Sequence, residues 1–128
     1  MLDMSTARRA NLIAVVDDDE LVRVSVGRLL KASGFRAVAF GSAEDLLNSD
    51  RFPEIACLIA DVRMPGLSGL ELQARLKAQQ CRIPIIFITA HGDAKMRIQA
   101  MRDGAVEFLT KPFDKAVLVE TVHAALED

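Results

Sequence analysis

The sequence predicts an α/β fold in which a parallel sheet carries helices on both faces. Three observations lead there. The apolar pattern switches repeatedly between short continuous runs and longer stretches with apolar positions three and four apart. Five such pairs follow one another. The connections between them are short, with no linker, repeat array or low-complexity tract. Alternation of this kind belongs to parallel sheets, whose strands are covered on both faces and therefore read as unbroken apolar runs.

Each element has a local reason. "NLIAVV" (Asn11–Val16) is the first strand. "ELVRVSVGRLLKASG" follows, with Val22, Val26, Leu29 and Leu30 at helical spacing and Gly34 as a stop signal. "FRAVAF" is a second strand, and "SAEDLLNS" a short helix in which Ser42 and Asp45 have capping-box spacing. "IACLIA" (Ile55–Ala60) and "SGLELQARLKAQ" form the third unit, with Ser68 as N-cap. "IPIIFIT" and "DAKMRIQAMRDG" form the fourth. "AVEFLT" and "DKAVLVETVHAALED", with Asp114 as N-cap, form the fifth. On the fourth helix, Ala94, Ile98 and Met101 share one face and are expected to pack on the sheet, leaving Met96 toward solvent.

Composition bounds the function. The 128 residues fit one domain, expected over 11–128 behind a flexible segment at 1–10, and 51% hydrophobic residues suffice for a core. A net charge of -2 argues against direct nucleic-acid binding, which favours a basic excess, and against an anionic membrane surface. No apolar stretch approaches the ~20 residues of a membrane span, and the twin arginines of "RRANLIAVVDDD" precede a run too short for a leader. Cys57 and Cys81 are too few for a zinc site or disulfide framework, and Cys57 reads as core. The protein is expected to be cytoplasmic. The chain stops directly after its last helix, as a stand-alone domain or a piece of a larger regulator would.

Five strands suggest the flavodoxin-like doubly wound order 2-1-3-4-5, since barrel closure needs eight. Binding sites in such sheets lie at the carboxyl ends of the strands, where the winding reverses. At those ends stand Asp17 and Asp18, Asp61, Thr89 and Lys111. Three carboxylates, a hydroxyl and an ammonium suit a hard cation such as Mg²⁺ together with a phosphoryl group. The "DDDE" stretch divides accordingly. Asp17 and Asp18 face the cation, while Asp19 and Glu20 enter the first helical turn, where the dipole favours negative charge. Bland readings stand beside these: Lys111 as a solvated lysine, Thr89 as an ordinary strand end, Phe108 as core. His91 is a rim residue without a metal-ligand partner, and His123 a surface residue.

Four stretches, "VVDDDELVR", "LIADVRMPGLSGLEL", "IFITAHGD" and "EFLTKPF", together resemble the receiver domain of two-component response regulators, over about Leu12 to Leu126. The likeness is strongest to receivers of LuxR-type DNA-binding regulators. It implies that Asp61 accepts a phosphoryl group from a sensor histidine kinase. It also implies that Asp18 and Asp61 bind Mg²⁺ directly, Asp17 largely through water and Arg63 through its carbonyl. Thr89 and Phe108 would be the switch pair, Lys111 the phosphate partner, and Pro112 would follow a cis peptide bond. A phosphorylation-dependent homodimer through helix four, strand five and helix five, controlling transcription, is implied as the output. Apart from its own phosphorylation and dephosphorylation, no enzymatic activity is implied.

Two other classes compete. A Mg²⁺-dependent phosphatase with an aspartate nucleophile would want a second aspartate two residues after Asp61, where Arg63 stands. A flavin-binding domain would want a glycine- and hydroxyl-rich loop after strand one, where "DDDE" would repel the phosphate.

Overall fold

The computed structural model describes residues 12–90 and 92–127. The head expected to be flexible over 1–10, and His91, lie outside the described residues. In chain order the elements are β1 (Leu12–Val16), α1 (Glu20–Ala32), β2 (Arg36–Phe40), α2 (Ala43–Leu47), a 3₁₀ turn (Phe52–Glu54), β3 (Cys57–Asp61), α3 (Gly69–Ala78), β4 (Ile85–Thr89), α4 (Ala94–Arg102), β5 (Glu107–Thr110) and α5 (Lys115–Glu127). The strands form one sheet in the order β2-β1-β3-β4-β5, and every pair is parallel. The doubly wound, flavodoxin-like order expected from the sequence is therefore the observed one. No helix among the described residues is long and apolar enough to cross a membrane.

Strand parity divides the core into two layers. Leu12, Ala14, Val16, Leu58, Ala60 and Phe87 face α2, α3 and α4, where Leu46, Leu72, Leu76 and Ala100 meet them. Ile13, Val15, Ile59, Ile86 and Ile88 face α1 and α5, against Val26, Leu30, Leu118 and Val122. The central strands β1, β3 and β4 are buried at every position, which is why they read as continuous apolar runs. Cys57 belongs to this core, and burial pushes its thiol up to about 12.

Side-chain caps fix where the helices begin, and hence the length of the loops at the strand ends. Asp19 accepts from Leu21 N at 2.9 Å, and Ser42 from Asp45 N at 3.0 Å. Ser68 and Glu71 close a reciprocal capping box. Asp93 accepts from Met96 N, and Asp114 from Ala116 N, each at 2.8 Å. Each such cap stabilises its helix by about 1 kcal/mol.

The fourth helix corrects the sequence reading. Ala94, Ile98 and Met101 do not pack on the sheet: Ile98 is 57% and Met101 38% exposed, and Ala94 is exposed. The buried stripe is Ala100 with the half-buried Met96. Polar contacts set this rotation. Buried Gln73 of α3 donates from Nε2 to Ala100 O at 3.0 Å, and Arg97 donates from Nη1 to Phe108 O at 2.9 Å. Arg97 also pairs with Glu107 at 3.4 Å, and Glu107 accepts from Phe108 N at 2.9 Å. Polar anchoring to α3 and β5 outweighs the larger apolar stripe, which is left facing outward.

Candidate functional site

Three loops at the carboxyl end of the sheet meet where β1 and β3 lie side by side. Asp17 follows β1 and is fully buried, Asp61 ends β3 and is buried, and Asp18 is exposed beside them. One carboxylate oxygen from each of Asp17, Asp18 and Asp61 lies within 4.8 Å of the others. Lys111, just beyond β5, reaches across the sheet end. Its Nζ donates to Asp17 Oδ2 at 2.9 Å and to Asp61 Oδ2 at 3.2 Å. The remaining oxygens of both carboxylates are occupied by local backbone: Asp17 Oδ1 accepts from Asp19 N at 2.8 Å and Asp61 Oδ1 from Arg63 N at 3.1 Å. Thr89, buried at the end of β4, stands at the same end of the sheet. A cavity of about 620 Å³ near Leu76, Cys81 and Ile83 has no comparable chemistry: its one carboxylate, Asp103, is paired with Lys77 at 3.4 Å.

Residues 13–123 match the family model described as the response regulator receiver domain. The chain belongs to this family. The receiver is 47% identical over 116 residues to nodulation protein W of Bradyrhizobium diazoefficiens, covering 91% of this chain and 51% of that protein. It is 42% identical over 114 residues to the transcriptional regulatory protein FixJ of the same species, covering 89% of this chain and 56% of that one. The chain thus spans about half the length of the curated relatives it matches. Among solved structures, FixJ-N superimposes with a TM-score of 0.81 at 38% identity, covering 99% of this chain and 96% of that one. The response regulator StyR superimposes with a TM-score of 0.83 at 46% identity, covering 91% of this chain and 59% of that one.

The electrostatics of the receiver site follow from its burial. Burial holds the Asp17 carboxyl above its usual range, despite the Asp19 N–H and the Lys111 ammonium that favour its charged form; the Asp61 charge adds to the rise. Lys111 is subject to opposite pulls. Burial disfavours its ammonium, but Asp17 and Asp61 together outweigh that and raise its pKa. Lys111 is therefore a bridging cation between two strand ends, which replaces the solvated reading.

The structure brings Asp17, Asp18, Asp61 and Lys111 together and places Thr89 and Phe108 on adjacent strands; Phe87, one turn of the pleat from Thr89, pairs with Phe108. Phe108 is 4% exposed and its ring lies 6.3 Å from that of Phe87. The Lys111–Pro112 peptide bond is cis, as the resemblance implies. Arg63 is exposed at the rim and touches the site through its backbone N–H. His91 lies outside the described residues, and His123 is exposed with its ring 4.8 Å from that of Phe35.

Two supporting residues escaped the sequence reading. Arg23 donates from Nη1 to Asp17 O at 2.6 Å, tying α1 to the acidic loop. Its signal was a cation one turn into the helix that follows the acids. Glu44 of α2 accepts from Leu67 N at 3.1 Å and so holds the loop after Asp61. No local pattern announces a contact across 23 residues.

Proposed function

We propose that this receiver takes a phosphoryl group onto Asp61 from a phosphohistidine of a sensor histidine kinase, in a Mg²⁺-dependent reaction in the cytoplasm. An Asp61 carboxylate oxygen attacks phosphorus. The P–N bond breaks, and its electron pair stays on the imidazole nitrogen of the donor. The observation that carries the reading is Lys111, just beyond β5, bridging Asp17 after β1 and Asp61 at the end of β3. One ammonium and a set of hard oxygen donors are what a trigonal phosphoryl group in transit requires.

Asp17, Asp18 and Asp61 fit Mg²⁺, because all three offer carboxylate oxygens in a cluster that lacks soft ligands. Asp18 and Asp61 would hold it directly, Asp17 largely through water and Arg63 through its carbonyl. When bound, the ion neutralises charge on the phosphoryl oxygens. Lys111 does the same from the β5 side, and the Thr89 hydroxyl donates to a phosphoryl oxygen. Water can hydrolyse the resulting acyl phosphate, so the mark is temporary and the domain modifies only itself.

The output proposed is a homodimer through α4, β5 and α5 that serves transcription regulation. Its apolar contribution is the stripe Ala94, Ile98 and Met101, rather than Met96, which is half-buried against the core. FixJ's name as a transcriptional regulatory protein supports this output. Asp61→Asn removes the nucleophile, so labelling by acetyl phosphate with Mg²⁺ is expected to vanish in the variant. Acid-labile labelling of Asp61→Asn at the wild-type level would overturn the proposal.

A further inference from the structure

At the opposite end of the sheet from Asp61, a cavity of about 620 Å³ opens between the carboxyl-terminal ends of α3 and α4 and the start of β4. Much of its lining is apolar: Leu76 and Ile85 are buried, and Cys81, Ile83 and Pro84 are half-buried. One polar side chain reaches it from within. Gln73 of α3 is 4% exposed and lines the cavity. Its orientation is fixed, because only the amide nitrogen can donate to Ala100 O, at 3.0 Å. Among the described residues nothing donates to the other end of that amide, Oε1, and this oxygen is not sealed inside the protein. On a side chain so deeply buried, the opening is the cavity.

The other polar groups at the cavity are satisfied or stand in water. Lys77 pairs with Asp103 at 3.4 Å, and Gln80 and Arg82 are exposed. The carbonyls of Leu76 and Ala100, in the last turns of α3 and α4, accept from Cys81 N at 2.9 Å and Ala105 N at 3.0 Å. Two helix carboxyl ends meeting here favour a hydrogen-bond donor over an anion. An apolar pocket of several hundred Å³ with one inward polar group has the make-up of a small-molecule site. We propose that the cavity binds a small neutral molecule with a ring-sized apolar body and one N–H or O–H, which donates to Gln73 Oε1. The apolar body covers Leu76, Ile83 and Ile85, and the hydrogen bond fixes its orientation. Gln73 is then shared, its nitrogen holding α4 and its oxygen the ligand. The proposal stands apart from phosphoryl transfer, since no residue of the Asp61 site lines this cavity.

Cys81 supplies a reporter at the site. The chain has two cysteines, and Cys57 is fully buried with its thiol pushed up to about 12, so iodoacetamide at neutral pH alkylates Cys81 selectively. The probes are indole and 1-methylindole, which share one apolar ring system and differ in the N–H. Indole is expected to slow alkylation of Cys81 in the wild type in a saturable way. 1-Methylindole is expected to protect about tenfold more weakly, because it leaves the Gln73 oxygen without a partner. Gln73→Leu, which keeps an apolar side chain of similar size, is expected to bring the two probes within about twofold of each other. Cys57 is the control for folding: it stays unalkylated in a variant that keeps its core, and the wild-type comparison of the two probes needs no variant at all. No protection by indole up to ~5 mM, where a Kd of ~1 mM is largely saturated, overturns the proposal. So does equal protection by 1-methylindole in the wild type, or a Gln73→Leu protein with Cys57 silent that still prefers indole about tenfold.

Discussion

Lys111→Met tests whether the bridge across the strand ends supports the fold as well as the chemistry. The side chain keeps its length and apolar stem but loses the ammonium that lies 2.9 Å from Asp17 and 3.2 Å from Asp61. Two carboxylates then face each other with one of them fully buried. Removing one partner of a buried ion pair costs about 3–5 kcal/mol, because the charge left behind has no compensation. Water reaches this site from one side, since the lysine side chain is 18% exposed and Asp18 is open to solvent. That lowers the expectation to about 2–3 kcal/mol, or roughly 8–15 °C in melting temperature for a domain of this size. Mg²⁺ supplies the missing positive charge, and saturation a hundredfold above Kd returns about 2.7 kcal/mol. Thermal melts followed by far-UV circular dichroism at neutral pH, in EDTA and in millimolar MgCl₂, read both effects. Mg²⁺ is expected to stabilise Lys111→Met at least as much as the wild type. A variant that melts within about 2 °C of wild type in EDTA, or a wild type that gains more from Mg²⁺, would refute the reasoning.

Two further outcomes concern the same loops. Asp17 has its pKa raised above the ordinary 3.8, so its contribution to stability is present when it is protonated and is lost as pH rises through the folded-state value. In EDTA, stability from urea melts should therefore fall more steeply above pH 3.8 in the wild type than in Asp17→Asn, and parallel curves would contradict this. At Gly69, a Cβ would overlap the backbone carbonyl of Asp61 and lie 2.9 Å from Val62 Cα, both of them main-chain atoms that cannot swing aside. Gly69→Ala is expected to destabilise the domain by about 1–3 kcal/mol and to slow labelling of Asp61; a melt and a labelling rate both at wild-type values would count against that tight packing.

Much of this molecule is legible in the sequence, for a physical reason. A parallel strand buried on both faces must be apolar throughout, so a polar residue at its end is conspicuous. Asp61 after "CLIA" and Thr89 after "IIFI" stand out in this way. Caps at Ser68 and Asp114 are legible because the hydrogen bond is local. The rotation of α4 is not legible, because that helix carries two apolar stripes, and contacts from Gln73 and Arg97 to distant carbonyls choose between them. The same limit hides the difference between neighbours Asp17 and Asp18. One is buried against Lys111 and the other is open to water, and only the third dimension separates them.

The clamp on Phe108 also governs how copies of this domain can meet. An exposed sheet edge is normally a template on which another strand can build, because its outward N–H and C=O groups seek partners. In the middle of β5 both groups are already satisfied by side chains, the N–H by Glu107 and the carbonyl by Arg97. Strand addition at this point would first have to break two polar contacts and displace an ion pair. The edge is thereby closed to runaway sheet extension. Self-association on this side is left to side-chain surfaces, which can be repacked and released, whereas a continuous backbone ladder would be slow to undo.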